Sequence, residues 1–419
     1  MRLAANRFVL LFSVLAGAAQ ARDISLLEAE QLLARNNREL QASRRLIESA
    51  EAQKVIAGAR PNAMLSINSS EINSDPGIGS GRLSQKRIDT VFRIDQPFER
   101  GDKRALRLDA ASVLQRAAQE DTRDVLRQQR AALAAAYFDL KQMQERAAVL
   151  AQTAQLFGAT LDAARVRLKA GDLAPADLAR VEVDHGRSHN DARAAAADVT
   201  RAQLALAYLI GAEPEALELR ASDDWPRLQR ADAAALEQAI EARPDVLAAK
   251  TRVEAAERLR DLARAQRTRD VTVGVQYERF PGTAPTNSVG VGISVPLFTG
   301  YDFSGDIQKA EVERYAALDQ LERARALALG ELRRAASDLN SAADRVERFD
   351  TALLSAAGRS NQAAEFAFER GASSVLEVLD ARRTFRSVQV EALAARDDYA
   401  RALAFWRAAQ ATAAVLEDK

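Results

Sequence analysis

The chain has 419 residues, with 59 basic and 59 acidic side chains and no cysteine. That balance argues against nucleic acid as a partner, which needs a basic surface, and the missing thiols exclude a disulfide framework and any thiolate metal site. Aromatics are only 5% of a chain that is 47% apolar and rich in alanine, a composition that suits closely packed helices better than one thick core.

Residues 1–21 read as a secretory signal peptide, cut after Ala21. Two arginines open the segment, and an apolar run from Phe8 to Ala19 follows. That run is short of the ~20 residues needed to span a bilayer. Ala19-Gln20-Ala21 supplies the small-x-small cleavage pattern. The mature chain is expected to leave the cytoplasm, with no cysteine at its start to carry a lipid. No later stretch approaches about 18 consecutive apolar residues, so no transmembrane helix is predicted. An exported chain of this kind is either periplasmic or inserted as a β-barrel.

Beyond the leader, a first strand pair is predicted over about 62–98. Leu65 and Ile67 alternate with small or polar residues, as do Ile88, Thr90, Phe92 and Ile94, around the glycine-rich linker "NSDPGIGSGRLSQK". A proline-free stretch then predicts one helix from about Gly101 to Ala170, roughly 100 Å long at 1.5 Å per residue. Its apolar seam runs through Leu133, Tyr137, Leu140, Leu150, Phe157 and Leu161 at coiled-coil spacing. In "RLKAGDLAPADLARVEVD", Gly171 breaks the helix and Asp177 follows. A second strand pair is expected over about 270–298, where Val271, Val273, Val275 and Tyr277 alternate, then Val289, Val291, Ile293 and Val295. A second long helical stretch is broken at Gly371 in "FERGASSVLEVLDARRTF", with Glu377 and Asp380 close behind.

The two halves repeat. "QPFERG" ending at Gly101 matches "VPLFTG" ending at Gly300, "NNRELQAS" matches "ARPDVLAA", and the glycine breaks lie 200 residues apart. The organisation predicted is a signal peptide (1–21), a first repeat (22–215) and a second repeat (216–419). Each strand pair has an apolar face and a face of Gly, Ser, Thr, Gln and Glu. Helices this narrow in their seams cannot cover the apolar face, so lipid is the alternative cover. Four strands cannot close a barrel, whose minimum is about eight. Several chains must share one; three would supply twelve strands, and two or four would also pass the minimum.

"SVGVGISVPLFTG", "ARPDVLAA" and the two glycine breaks together resemble the TolC-like outer-membrane efflux family, across essentially the whole mature chain. The resemblance implies a mixed α and β membrane protein. Long antiparallel helices would form a periplasmic α-barrel, and four strands per chain would join a trimeric 12-stranded outer-membrane β-barrel. It implies a homotrimer held in outer-membrane lipid, a periplasmic adaptor, an inner-membrane RND pump, and neither catalysis nor a cofactor. It also implies that helix tips close the tube. Gly171, Asp172 and Leu173, with Gly371, Ala372 and Ser373, would form the hairpin tips and the adaptor docking surface. Glu377, Asp380 and Asp177 would line the gate, where rings of carboxylates favour cations. Some relatives tie the closed tip with an arginine and a tyrosine; Ser373 and Phe368 stand at those positions here.

The chain's two histidines, His185 and His189, are spaced i, i+4, which can chelate a divalent metal from one helix face. No dinucleotide, phosphate-loop, His-Glu-x-x-His or Gly-x-Ser-x-Gly signature occurs, so no enzyme is expected. The reading that results is a tripartite efflux channel, with "YERFPGTAPTNSVGVGISVPLF" and the chain length resembling members that serve heavy-metal pumps. The channel of a type I protein-secretion system is the alternative on the same fold, and a soluble periplasmic coiled-coil scaffold the alternative of another class.

Overall fold

A computed structural model describes residues 22–70, 88–232, 237–280, 286–370 and 372–410. The expected leader, the glycine-rich linker, Gly371 and the loop at 281–285 lie outside them. The elements run β1 (Arg22–Ile24), α1 (Leu26–Asn36), α2 (Arg38–Gly58), β2 (Met64–Ser70), β3 (Asp89–Phe98), α3 (Lys103–Ala170), α4 (Pro175–Ile210), β4 (Leu219–Ala221), α5 (Pro244–Ala265), β5 (Val271–Phe280), β6 (Thr286–Ser294), α6 (Ser304–Arg348), α7 (Leu354–Glu369) and α8 (Val375–Ala409). Both strand pairs and both broken helices therefore form where the period-two and seam patterns put them. Between α6 and α7 the helix does not stop. It widens into one π turn, Phe349–Leu353, in which the Leu354 N–H bonds the Phe349 carbonyl.

The chain packs as two compact units, each drawing on both halves of the sequence. One comprises residues up to 38, 129–231 and 337–405. Two buried tyrosines, Tyr137 and Tyr399, order its non-helical segments. Tyr137 on α3 is fully buried; its hydroxyl donates to the Ile24 carbonyl at 2.9 Å and accepts from the Ser222 and Asp223 amides at 3.1 and 3.0 Å. It thereby fixes the ends of β1 and β4, which pair in parallel from Arg22–Leu219 to Ile24–Ala221. Tyr399 on α8 does the same for an irregular segment, donating to the Arg227 carbonyl and accepting from the Gln229 amide. A buried tyrosine needs such partners for its hydroxyl, and here the partners are loops that have no ladder of their own.

The other unit comprises residues 39–128, 232–336 and from 406 on. It holds an antiparallel sheet of order β2-β3-β5-β6, so the two predicted pairs join through β3 and β5. The register aligns apolar residues in rows across all four strands: Leu65, Ile94, Val275 and Val291, and then Ile67, Phe92, Tyr277 and Val289. That face is bare; Val289 and Val291 are each 75% exposed and Leu65 is 62% exposed. A continuous apolar face of this kind needs a non-aqueous cover. Beneath the sheet, the buried Lys103 pairs with Asp270 at 2.8 Å and Arg107 pairs with Glu99, fastening strand ends to α3. "ARPDVLAA" also has a structural reason. Arg243 is 1% exposed and pairs with Asp245 and Glu331 while donating to the Ala409 carbonyl, and Pro244 opens α5 as its first residue.

Candidate functional site: the paired helix tips

The first tip closes through its backbone. Gly171 adopts φ +82°, and its N–H bonds the Leu168 carbonyl at 3.1 Å while the Asp172 N–H bonds the Arg167 carbonyl at 2.9 Å. This is a Schellman cap, and the left-handed φ it needs is cheap only for glycine. Pro175 then begins α4 at a position where a missing N–H costs nothing. Leu173 turns inward on a cluster of Phe157, Leu161 and Ala164 from α3, Val181 from α4 and Leu379 from α8.

The second tip repeats one of those backbone bonds and adds side chains to it. The Ala372 N–H bonds the Ala367 carbonyl at 2.8 Å, ending α7, and the Ser373 hydroxyl reaches back to the Ala364 carbonyl. Ser374 and Glu377 then form a reciprocal capping box. The Glu377 N–H donates to the Ser374 hydroxyl at 3.3 Å, and the Ser374 N–H donates to the Glu377 carboxylate at 3.1 Å.

The three predicted gate acids thus differ in their partners. Glu377 is exposed but engaged in the cap. Asp177 is half-buried, 3.6 Å from Arg180 on the same helix. Asp380 is exposed, with no ion pair or hydrogen bond among the described residues. Asp172 and Ala372 are exposed at the turns and Ser373 is half-buried. Gly371 lies outside the described residues.

Arginines that the sequence reading passed over bind the two hairpins together. Arg383 on α8 pairs with Asp184 on α4, a carboxylate only 6% exposed. Arg386, about one turn on, pairs with Asp191 at 3.0 Å, about two turns beyond Asp184. Arg382 donates to the Thr160 hydroxyl on α3 at 2.7 Å and to Glu365 on α7 at 2.9 Å. Arg167, at the end of α3, lies 4.7 Å over the ring of Phe368, at the end of α7. In the sequence these arginines look like the solvated charges that alternate along every helix here. Nothing in their spacing separates them from those charges; only the packing of α4 and α3 against α8 and α7 does.

His185 and His189 share a face of α4 with ring centroids 6.4 Å apart. The His185 ring packs beside Gly158 on α3, with its Nδ1 buried and unbonded. Among the described residues, no three His, Asp or Glu side chains gather in a way that could hold a metal ion.

Long antiparallel helices, together with a sheet that is bare on its apolar face, make up the mixed fold that solved outer-membrane channels with an α-barrel and a β-barrel share. Residues 235–410 match the outer membrane efflux protein family. The cobalt-zinc-cadmium resistance protein CzcC of Cupriavidus metallidurans is 25% identical over 375 residues, covering 89% of this chain and 86% of that protein. The CmeC outer membrane channel of Campylobacter jejuni superposes with a TM-score of 0.77 at 16% identity, over 92% of this chain and 85% of that one. CusC, described in connection with transmembrane channel formation, gives 0.74 at 17% identity, over 93% and 92%. The chain is thus similar in sequence to outer membrane efflux proteins over its second half, to CzcC over most of its length, and in fold to solved outer-membrane channels.

Proposed function

We propose that this chain is the outer-membrane exit duct of a tripartite efflux system. It works as a homotrimer that receives substrate from an inner-membrane RND pump through a periplasmic adaptor. The observation that carries the reading is the apolar face running unbroken across all four strands. Lipid on that face leaves the opposite, polar face toward water, and three copies of four strands make a twelve-stranded wall. In the duct, the paired tips are the gate and the adaptor's docking surface, with Asp380, Glu377 and Asp177 at its mouth. The cobalt-zinc-cadmium name of one relative supports heavy-metal cations as the cargo. A cargo of that charge is compatible with a mouth of carboxylates.

The test is deletion of the gene, followed by growth in graded cobalt, zinc, cadmium, copper and a drug panel, alongside fractionation of the native protein. Lost tolerance to the metals and a heat-modifiable trimer in the outer membrane are expected. Unchanged tolerance with loss of a secreted protein would move the chain to a type I secretion channel. A soluble monomer would leave only the scaffold.

A further inference from the structure

On the polar face of the sheet, the structure assigns to Asp95 a specificity-determining role: it holds Arg93 flat against the wall, so that the duct stays open to cations. The inference rests on the proposal above that this face lines the pore. Arg93 and Asp95 stand two apart on β3 and share the face opposite the apolar rows. The Arg93 Nε lies 2.9 and 2.7 Å from the two Asp95 carboxylate oxygens, and its Nη1 donates to Gln276 on β5 at 3.2 Å. The guanidinium is thus drawn sideways along the sheet.

Two glycines make the space it lies in, and a third makes room for the Gln276 side chain beside it. Asp95 pairs in register with Gly274, which pairs with Gly292; Arg93 pairs with Gln276, which pairs with Gly290. A Cβ at residue 274 would fall 2.2 Å from the Asp95 carboxylate and 2.7 Å from Arg93 Nη2. One at 292 would lie 3.4 Å from Arg93 Nη2, and one at 290 would lie 3.1 Å from the Gln276 side chain. Glycine weakens a strand unless something must approach closely, and here it is an ion pair laid across two strands.

Arg93 is the one cation on this face among the described residues. Asp89 and Glu278, the other charged groups there, accept from the hydroxyls of Ser70 and Ser288. Three copies would bring three guanidiniums to one level of the pore. Paired with a carboxylate, each presents a short-range dipole. Unpaired and free to extend, each is a full charge that acts over a Debye length of ~8 Å, wide on the scale of a narrow lumen, and a ring of arginines selects for anions.

The experiment uses the purified full-length protein. It measures the reversal potential in a planar bilayer under a potassium chloride gradient, and the binding of tripolyphosphate by calorimetry. Asp95→Asn should shift the reversal potential toward anions and raise tripolyphosphate affinity at least about tenfold, as charge-assisted pairs to freed guanidiniums would. Arg93→Gln should shift the potential toward cations. The double variant Arg93→Gln/Asp95→Asn should return near the wild type, which also removes misfolding of either single variant as an explanation. If wild type conducts and neither the potential nor the affinity moves in Asp95→Asn, the assignment to Asp95 is overturned. If wild type itself neither assembles nor conducts, the pore reading fails instead.

Discussion

At Gly171 the first hairpin turns by bending its backbone, whereas at Ser374 the second begins its return helix with two side chains that cap each other. The Schellman turn depends on one left-handed residue and is indifferent to charge. The capping box spends a carboxylate, and that carboxylate, Glu377, is also one of the acids expected at the gate. Holding the second tip together and setting its charge are therefore coupled through one residue, while in the first tip they are separate. The hairpins differ in their buried acids as well. Asp184 on α4 is paired by Arg383 from the other hairpin. Asp397 on α8 is paired within its own helix by Arg401 at 2.8 Å, and its second oxygen is buried without a partner.

The comparison can be broken first at Arg383. Arg383→Ala leaves Asp184 buried without its cation, and about 3–4 kcal/mol should be lost, the lower part of the usual range because Arg383 is half exposed. Hydrogen exchange should show α4 and α8 losing protection together; loss confined to α8 would show that the hairpins stand independently. The next effect is a pH dependence. Burial pushes the Asp397 carboxyl up to about 6, against the pull of Arg401 and with the help of Asp139 and Asp398. The folded chain then holds this proton more tightly than the unfolded chain. The cost of ionising it is absent below the ordinary value of 3.8, grows as pH rises, and is complete above about 6. Stability should fall by about 2–3 kcal/mol over that window through this group alone. Denaturant midpoints of Asp397→Asn at acid and neutral pH should show the fall removed.

Smaller effects sharpen the contrast between the caps. Gly171→Ala should cost about 1–2 kcal/mol. The added methyl meets nothing within 4 Å, so the whole cost is backbone strain, measurable as faster amide exchange at the end of α3. Ser374→Ala should cost about 1 kcal/mol at the start of α8. Glu377→Gln should cost only a few tenths, since glutamine also closes the box, yet it removes the charge. If Glu377→Gln loosens the tip as much as Ser374→Ala, the charge and not the hydrogen bond carries the cap.

The strands were legible because one apolar face gives a strict alternation, and the tips because glycine and proline interrupt long seams. The pairing of β1 with β4 was not legible. Each is three residues long, they lie far apart in sequence, and a tyrosine on a third element aligns them. The capping box was readable, as serine followed three residues later by glutamate, but Glu377 drew notice for its charge and not for its spacing. The arginine links could not be told from solvated charges without knowing which helices lie side by side. The bare state of Asp380 was not legible, because it depends on which side chains from other helices reach the tip.

The π turn at Phe349–Leu353 gives the chain a spare residue. A π turn is an α turn with one residue more, so a deletion there would restore an ordinary helix and leave α6 and α7 in phase. The same deletion within α3 would rotate everything beyond it by about 100° and turn its seam away from its partners. A one-residue deletion at this π turn should therefore be tolerated where the same deletion in α3 is not, and any chimera that exchanges the two hairpins must keep this count.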